Sequence, residues 1–248
     1  MRHKIFNRSR LLLGDEGLER LATLHVIIFG VGGVGSWCAE SLVRAGLTHL
    51  TIVDNDVVSV TNINRQLMAT VKTIGRPKVE ALKEHLLEIN PEASITAIRD
   101  VFCEETAGSF GLEDYDVIVD CIDSLSDKAL LIQTATRMPG KFYSSMGAAL
   151  KMDATQIRVA EFWKVRGCPL ARALRQRFNR RGEYPAKKFL CVYSEEVLAN
   201  RAENIEDDQA GLESYGSTKK ARINGSMMHI TATFGLTLTS LILAPMRS

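Results

Sequence analysis

Residues 25–35 read His-Val-Ile-Ile-Phe-Gly-Val-Gly-Gly-Val-Gly, and this stretch decides the fold class of the chain. The glycines at Gly30, Gly32 and Gly35 have the spacing G-x-G-x-x-G after a strand-like apolar run, and Gly33 adds a fourth. Glycines permit a tight turn, let backbone N–H groups approach a phosphate, and allow a helix to pack closely on the strand. Because a helix is predicted to open near Gly33, the stretch predicts the nucleotide turn of a βαβ unit.

Short apolar runs alternate with helical patterns through the first half of the chain, which is typical of a mainly parallel sheet. Pro77 suits the first turn of a helix over residues 77–88, and Asn90 and Pro91 are expected to end it. The pattern predicts an α/β fold with a Rossmann-like, doubly wound, mainly parallel sheet. The predicted strands are residues 25–29, 49–53, 94–99, 116–121 and 142–145.

The alternation of strands and helices is lost after about residue 150, where a basic segment (164–188) precedes an acidic one (195–213). No repeat or low-complexity linker separates the two halves. We therefore expect one domain over residues 1–248. Residues 1–150 would form its nucleotide-binding half, and residues 151–248 a substrate-binding part and C-terminal extension.

The composition is that of a soluble globule, with 248 residues, 46% of them hydrophobic, and a net charge of +2 that indicates no particular partner. None of the five cysteines forms a C-x-x-C pair, so no zinc is expected. The N-terminus has no apolar stretch of signal-peptide length, which together with scattered thiols predicts a cytoplasmic protein. The apolar residues 227–243 include four threonines and predict a buried core helix, with membrane association as the less favoured alternative.

Two aspartates follow the second predicted strand. Asp54 lies 19 residues after Gly35 (54 − 35), about the spacing of an acid that binds ribose hydroxyls, and Asp56 is next to it in Asp-Asn-Asp. Such a sequence is also prone to turns, which is the plainer explanation. To this point a nicotinamide-dependent dehydrogenase fits equally well.

Charged residues farther along the chain favour ATP over NAD. A triphosphate with its magnesium ion requires cationic side chains on the phosphates and a carboxylate on the metal, and Arg65, Lys78 and Asp123 are of these types. Each has a plainer explanation as a solvated charge, a loop contact or a helix N-cap. Their order after the glycine turn favours the functional interpretation. Polar neighbours complete the predicted site: Asn62, Asn64, Gln66 and Ser124.

This set of residues resembles the E1-like superfamily of ubiquitin-activating, ThiF and MoeB adenylating enzymes. The matching parts run from residue 6 to about residue 148. The resemblance implies a homodimer that adenylates a carboxylate with ATP and Mg²⁺, and leaves a monovalent cation open. It implies that Arg8 reaches the ATP site of the other subunit, whereas an exposed terminal arginine is the plainer explanation. The further implied roles are ribose binding for Asp54, phosphate binding for Asn62, Arg65 and Lys78, and magnesium binding for Asp123.

Within the superfamily the chain looks most like the tRNA threonylcarbamoyladenosine dehydratases. The features behind this are residues 6–14, Asp123-Ser124, residues 191–195 and residues 231–235. The branch implies tRNA carrying threonylcarbamoyladenosine (t6A) as substrate, cyclisation of that side chain to ct6A, and a sulfur-relay or cysteine desulfurase-type protein partner. One alternative is an adenylyltransferase that activates the C-terminal glycine of a small sulfur-carrier or ubiquitin-like protein. Another is an NAD-binding oxidoreductase or a nucleotide sensor.

Two further features bear on the substrate. Residues 168–181 predict a helix with Leu170, Leu174 and Phe178 inward and a basic outer face, which suits RNA phosphates or is simply a solvated face. Cys191 is a candidate nucleophile by the resemblance, and a buried thiol is its alternative. The candidate nucleic-acid residues are Arg172, Arg175, Arg177, Arg180 and Arg181.

Overall fold

The computed structural model of the protein describes residues 2–202 and 224–247. Within these residues a seven-stranded sheet has the order β3-β2-β1-β4-β5-β7-β6, in which only β6 runs antiparallel to its neighbour. The strands are β1 (His25–Phe29), β2 (His49–Val53), β3 (Ser94–Ile98), β4 (Val117–Asp120), β5 (Lys141–Ser145), β6 (Ile157–Glu161) and β7 (Leu190–Ser194).

Helices cover both faces of this sheet. The α-helices are α1 (Arg2–Ile5), α2 (Asn7–Thr23), α3 (Gly35–Ala45), α4 (Lys78–Ile89), α5 (Leu125–Ala135), α6 (Pro169–Arg181) and α7 (Met228–Leu243). Short 3₁₀ turns span Val60–Asn62, Ala107–Ser109, Leu112–Asp114, Ala154–Gln156, Phe162–Lys164 and Ala244–Arg247. Leu42, Leu82 and Leu238 pack α3, α4 and α7 into one core, while Leu131 and Leu174 pack α5 and α6 into the other. The predicted doubly wound α/β fold is confirmed.

The predicted elements of the first half are present with small shifts at their ends. All five predicted strands occur, each within one residue of its expected bounds. The predicted start of the helix at Pro77 was wrong by one residue. The backbone of Pro77 is extended (φ −54°, ψ 132°), so Pro77 is the N-cap residue and α4 begins at Lys78. Pro77 also pairs with Val57 in an isolated bridge, which fixes the start of α4 against the segment that follows β2. Asn90 ends α4 as expected.

The second half of the chain adds two strands that the sequence analysis missed. β7 lies parallel to β5, with Cys191 opposite Ser144, and β6 lies antiparallel to β7, with Ala160 opposite Cys191. α6 precedes β7 and covers the same face of the sheet as α5. One sheet therefore continues across residue 150, while the division of labour between the two halves stays a prediction.

α7 is packed into the fold as a core helix. A side chain at Gly235 would place its Cβ 2.5 Å from the carbonyl oxygen of Val34, so α7 lies directly against the start of α3. Phe234 and Leu238 are buried below it. The stretch Met228–Arg247 is long and apolar enough to cross a membrane by composition alone, but 44% of it is buried inside this fold. The packing supports the prediction of a core helix.

A charged cluster links α3 to α4. Glu40 accepts hydrogen bonds from His85 Nε2 at 2.8 Å and from Arg44 Nε at 2.5 Å. Burial opposes ionisation of Glu40, but the bonds from His85 and Arg44 outweigh it and lower its pKa. The hydrogen bond to Glu40 raises the pKa of His85 above its ordinary value.

We predict that His85→Gln lowers the free energy of unfolding by an amount that depends on pH. A raised pKa in the folded state stabilises the protein fully below the unfolded pKa, and this contribution disappears as the pH rises through the folded pKa. Since the His85 side chain is 38% exposed, we expect a difference of about 0.5–1 kcal/mol at about pH 5.5 that shrinks towards pH 8.5. Thermal unfolding across this range checks it, with Lys83→Gln as control. A gap that does not change with pH contradicts the prediction.

Candidate nucleotide-binding site

The glycine turn after β1 is held by close backbone contacts. Gly30 has a φ of +83°, and a Cβ there would lie 2.8 Å from the carbonyl oxygen of Cys121. A Cβ at Gly35 would lie 1.9 Å from the carbonyl oxygen of Gly30. No side chain fits at either position without moving backbone. Gly30 and Gly35 therefore give the turn its shape.

The two middle glycines leave room and free donors. Within residues 2–202 and 224–247, the amides of Gly32 and Gly33 donate to no protein acceptor. A Cβ at Gly32 would meet only the Gln66 side chain, at an ordinary contact distance of 3.7 Å, and Gly33 lies beside the side chains of Arg65 and Thr231. Since these amides lie at the N-terminus of α3, the turn can bind an anion such as a phosphate.

Asp54 fixes this turn from the end of β2. Its Oδ2 accepts a hydrogen bond from the amide of Val31 at 2.8 Å, and its Oδ1 accepts one from Asp56 at 3.0 Å. The side chain is only 9% exposed, and burial raises the pKa of the carboxyl. A carboxylate has about four lone-pair sites, so Asp54 can accept further bonds from ribose hydroxyls.

Lys78 joins the two aspartates at the start of α4. Its ammonium lies 2.7 Å from Asp56 Oδ2 and 3.9 Å from Asp54 Oδ1. The Lys78 side chain is 7% exposed, whereas that of Asp56 is 59% exposed. The structure therefore brings Asp54, Asp56 and Lys78 together beside the glycine turn, with the cation shared by two carboxylates.

The segment around Arg65 lies beside Gly33 of the turn. The Arg65 guanidinium donates to the side-chain oxygen of Asn64 at 3.0 Å. The backbone carbonyl of Arg65 accepts a hydrogen bond from the indole N–H of Trp37 in α3 at 3.0 Å. Asn62 accepts a hydrogen bond from Ser59, which closes the 3₁₀ turn before Arg65. These contacts hold the Arg65 segment against α3.

Gln66 offers an unused polar atom in the same place. The residue is buried, and its side-chain oxygen has no hydrogen-bond partner among the residues that the structure describes. Its amide nitrogen lies 3.7 Å from the Cβ position of Gly32. A buried polar atom without a partner is unusual, and the side chain that carries it borders the glycine turn.

Asp123 and Ser124 follow β4 at the same edge of the sheet. Asp123 is exposed, and Ser124 occupies the N-cap position of α5 without a side-chain capping bond. No group of three or more histidine, cysteine, aspartate or glutamate side chains able to hold a metal occurs in the described residues. Asp123 as a single carboxylate still fits Mg²⁺, which usually keeps waters and binds one or two carboxylates plus substrate phosphates.

A buried ion pair lies directly beneath Asp123, and the sequence analysis missed it. Asp120 and Lys128 are both 0% exposed, with Lys128 Nζ 2.7 Å from Asp120 Oδ2. Asp120 accepts from the amide of Ile122 at 3.0 Å, and Lys128 donates to the carbonyl of Ile122 at 2.8 Å. Ser144 donates to Asp120 at 2.6 Å. The pair thus fixes the peptide that carries Asp123, and an aspartate inside the apolar run 117–121 was its only sequence sign.

Comparison with known proteins now identifies the family. The ThiF family profile matches residues 6–207. The chain belongs to the ThiF family. It is 38% identical over 177 residues to the tRNA threonylcarbamoyladenosine dehydratase of Bacillus subtilis (strain 168), across 71% of this chain and 70% of that protein.

Two further similarities extend over nearly the whole chain. The tRNA threonylcarbamoyladenosine dehydratase of Escherichia coli (strain K12) is 33% identical over 245 residues, which are 95% of this chain and 90% of that protein. A crystal structure of E. coli tRNA N6-threonylcarbamoyladenosine dehydratase in complex with ATP superposes with a TM-score of 0.84 at 31% identity, and covers 98% of this chain and 94% of that one. The resemblance drawn from the sequence is confirmed at the level of the family.

Arg8 of this ThiF family member does not lie at its own glycine turn. It is exposed near the start of α2. The neighbouring Phe6 lies 3.7 Å from the Cβ position of Gly46, which follows the last residue of α3. Since the turn is at the other end of this 11-residue helix, about 16 Å separates the two places.

The structure does not support Cys191 as a nucleophile in this ThiF family member. Its side chain is 0% exposed in the middle of β7, and burial raises the pKa of the thiol well above its ordinary value. A reactive cysteine needs an accessible thiolate. The alternative of a buried thiol is the one that the fold supports.

The basic helix α6 has the predicted orientation. Leu174 and Phe178 are fully buried, so the arginines on the opposite side face solvent. Among the candidate RNA contacts, Arg175 differs from the others because it is half-buried and also contacts the protein itself. Its guanidinium donates to the carbonyl of Phe162 at 3.1 Å and lies 5.8 Å from the centre of that ring, so it holds α6 to the preceding turn. Arg172, Arg180 and Arg181 are exposed, and Arg177 is half-buried.

We predict that Lys128→Met strongly destabilises this ThiF family member. The change leaves the carboxylate of Asp120 buried without a counter-charge, which costs about 3–5 kcal/mol in unfolding free energy. Adding Asp120→Asn removes that charge and is expected to recover part of the loss. Urea unfolding measures both variants, with Lys72→Met, an exposed lysine, as control. If Lys128→Met is as stable as the double variant, the unpaired carboxylate of Asp120 does not have the predicted cost in unfolding free energy.

Proposed function

We propose that this protein is an ATP-dependent tRNA threonylcarbamoyladenosine dehydratase, which adenylates the threonyl carboxylate of t6A and cyclises it to ct6A. The observation that carries the proposal is the set of groups around one glycine turn. It combines free amides at Gly32 and Gly33 with Arg65, which lies beside Gly33, and Lys78, which lies near the Asp54 that holds the turn. The relatives with this name match nearly the whole of this chain, and therefore the fold in which these groups occur.

The proposed ATP site places each part of the nucleotide next to a complementary group. The amides of Gly32 and Gly33 and the cations of Arg65 and Lys78 would bind the phosphates, because several negative charges need donors on more than one side. Asp54 would accept from the ribose hydroxyls. Asp123 would hold Mg²⁺, which would neutralise phosphate charge. A pyrophosphate-bearing nicotinamide cofactor requires no such set of charges, which favours ATP.

The chemistry follows from the poor reactivity of a free carboxylate. One threonyl carboxylate oxygen attacks the α-phosphorus of ATP, and the bond to pyrophosphate breaks. Arg65 and Lys78 would stabilise the charge on the departing pyrophosphate. A nitrogen or oxygen of the same ureido group then attacks the activated carbonyl. AMP leaves with the former carboxylate oxygen, and a ureido N–H loses its proton. Because both groups belong to one side chain, proximity favours ring closure.

The proposed RNA surface is the outer side of α6. Arg172, Arg177, Arg180 and Arg181 would contact phosphates of the tRNA, since clustered arginine side chains are typical of such surfaces. The helix lies on the face of the sheet opposite α3 and α4. The nucleotide and the RNA would therefore approach the reaction site from different faces.

We also propose a homodimer in which Arg8 acts in the partner's site. The separation of Arg8 from its own glycine turn by the length of α3 supports this arrangement. In a two-fold dimer each arginine then completes the opposite site. A monovalent cation, a sulfur-relay or cysteine desulfurase-type partner and a cytoplasmic location stay predictions.

We predict that mixing two inactive variants restores activity. Arg8→Ala and Lys78→Ala are each expected to inactivate the enzyme. Among randomly re-formed dimers half are mixed, and each mixed dimer has one site with both residues, so about a quarter of wild-type activity should return. Measuring ct6A formation after dissociation and re-association of the mixture checks this. No recovery in a mixture shown to contain mixed dimers excludes the exchange of Arg8.

We predict that Arg65→Ala and Lys78→Ala each lower ct6A formation by about 10²–10³-fold, as the loss of a charge-stabilising donor does in other enzymes. The measurement is mass spectrometry of tRNA nucleosides after incubation of t6A-bearing tRNA with ATP. Arg76→Ala is the matched control, because Arg76 is two residues from Lys78 but pairs with Glu84 on the surface.

The same assay separates the proposed function from its alternative. An unchanged ratio of ct6A to t6A with the wild-type protein removes the dehydratase function. ATP–pyrophosphate exchange that then depends on an added sulfur-carrier protein would indicate the adenylyltransferase instead. Exchange that needs neither substrate class would leave only the nucleotide site.

A further inference from the structure

Two large aromatic side chains lie exposed next to each other, and the proposed site does not use them. Trp163 is 42% exposed and Tyr184 is 51% exposed, and their ring centres are 6.1 Å apart with the planes inclined by 49°. Among the phenylalanine, tyrosine and tryptophan side chains of residues 2–202 and 224–247, only these two are exposed. We call this pair the aromatic platform.

The aromatic platform rests on a rigid base. Phe162, which is fully buried, contacts Trp163 edge-on with ring centres 5.2 Å apart. Phe162 also stacks on Phe189 at 5.1 Å and accepts a hydrogen bond from Arg175 at its carbonyl. Trp163 is therefore held in place before any ligand arrives, which lowers the entropy lost on binding.

Cationic side chains surround the aromatic platform. Lys164 follows Trp163 and is exposed, as is Lys188. The hydrogen bond from Phe162 N to Phe189 O extends the β6–β7 pairing, so Lys188 lies alongside Trp163. Arg181, also exposed, ends α6 three residues before Tyr184.

The nearby acids are already engaged in local contacts. Glu161 accepts a hydrogen bond from the amide of Trp163, and Glu183 accepts one from the side chain of Gln133. Because these donors are neutral, both carboxylates keep their charge, but the three cations outnumber the two acids. The platform therefore combines two rings with a small excess of positive charge. This composition suits a polyanion with flat groups and not a purely apolar protein surface.

α6 leads from the platform to the edge of the sheet where the glycine turn lies. Before its first turn, the Cβ position of Gly167 lies 2.8 Å from Glu195, which follows the C-terminal end of β7. At its other end Gly182 leads towards Tyr184. Thirteen residues of helix span about 20 Å. A strand with the stacked spacing of a duplex, about 3.4 Å per phosphate, covers this distance with about six nucleotides.

We propose that Trp163 and Tyr184 form a stacking site for unpaired bases of the RNA substrate, several nucleotides away from the reacting one. The proposal rests on the proposed function, because it concerns the same substrate. Single-stranded RNA loops expose their bases, and proteins bind such bases by stacking them on aromatic rings with cations on the adjacent phosphates. The arginines of α6 would follow the backbone between the platform and the glycine turn.

The test compares ring removal with ring replacement. Tyr184→Ala removes the ring and Tyr184→Phe keeps it; Trp163→Ala and Trp163→Phe form a second pair. The measurement is the dissociation constant for a fluorescently labelled tRNA at fixed salt, and for a fully paired RNA duplex of similar length. Val71→Ala, which removes a side chain that is 78% exposed elsewhere, is the control. Thermal unfolding shows whether each variant is folded. If Trp163→Ala does not fold, the two Tyr184 variants still test the proposal.

Tyr184→Ala is expected to weaken tRNA binding about 5- to 100-fold, as the loss of one stacked base does. Tyr184→Phe should bind tRNA like the wild type, the duplex should bind all variants alike, and the salt dependence should not change. Unchanged tRNA affinity of Tyr184→Ala overturns the proposal, and so does an equal loss in Tyr184→Phe or for the duplex. The ct6A assay with the wild-type protein tests the proposed function separately. If the wild type forms ct6A and Tyr184→Ala binds tRNA with unchanged affinity, only the aromatic platform is rejected. If Tyr184→Ala weakens tRNA binding but the wild type forms no ct6A, only the proposed function is rejected.

Discussion

The contact between Gly30 and the carbonyl of Cys121 is the constraint on which the rest of the site depends. It brings the end of β1 against the end of β4 so closely that no side chain fits between them. The turn that results positions the amides of Gly32 and Gly33 at the start of α3, and the carboxylate of Asp54 holds it from β2. Three neighbouring strand ends thus meet at one place. Side chains that follow any of these strands come within reach of the same ligand.

Two lysines near this place are paired with carboxylates, and their surroundings give them different roles. Lys128 and Asp120 are fully enclosed, so exchange of this partner for a ligand would leave a buried charge. Lys78 is buried as well, but its closer partner Asp56 is 59% exposed and can be solvated by water. A nucleotide phosphate can therefore take over Lys78 at little expense to Asp56. Of the two pairs, only the one at Lys78 is suited to exchange during a reaction cycle.

The sequence predicted those parts of the structure that depend on local patterns. The strands β1 to β5, the glycine turn and the aspartate that follows β2 all show in short stretches of residues. β6 was missed because it includes Arg158 and Glu161 and is only partly buried, so it has no apolar run. Both β6 and β7 are also defined by pairing with a strand distant in sequence. The direction of a side chain is equally non-local: Arg175 points to Phe162, and Cys191 is enclosed between β5 and β6. The Asp120–Lys128 pair depends on the packing of α5 against β4, which no spacing rule indicates.

The second half of the chain gains its role from where it joins the sheet. Since β7 adds to β5 in parallel, the connection through α6 has to lie on a face of the sheet, and the face it covers is the one opposite α3 and α4. A nucleotide bound at the start of α3 and an RNA bound along α6 would then not compete for the same surface. They would meet only at the edge where the parallel strands end. In the proposed reaction that edge is where a carboxylate from the RNA and the α-phosphate of ATP have to come together.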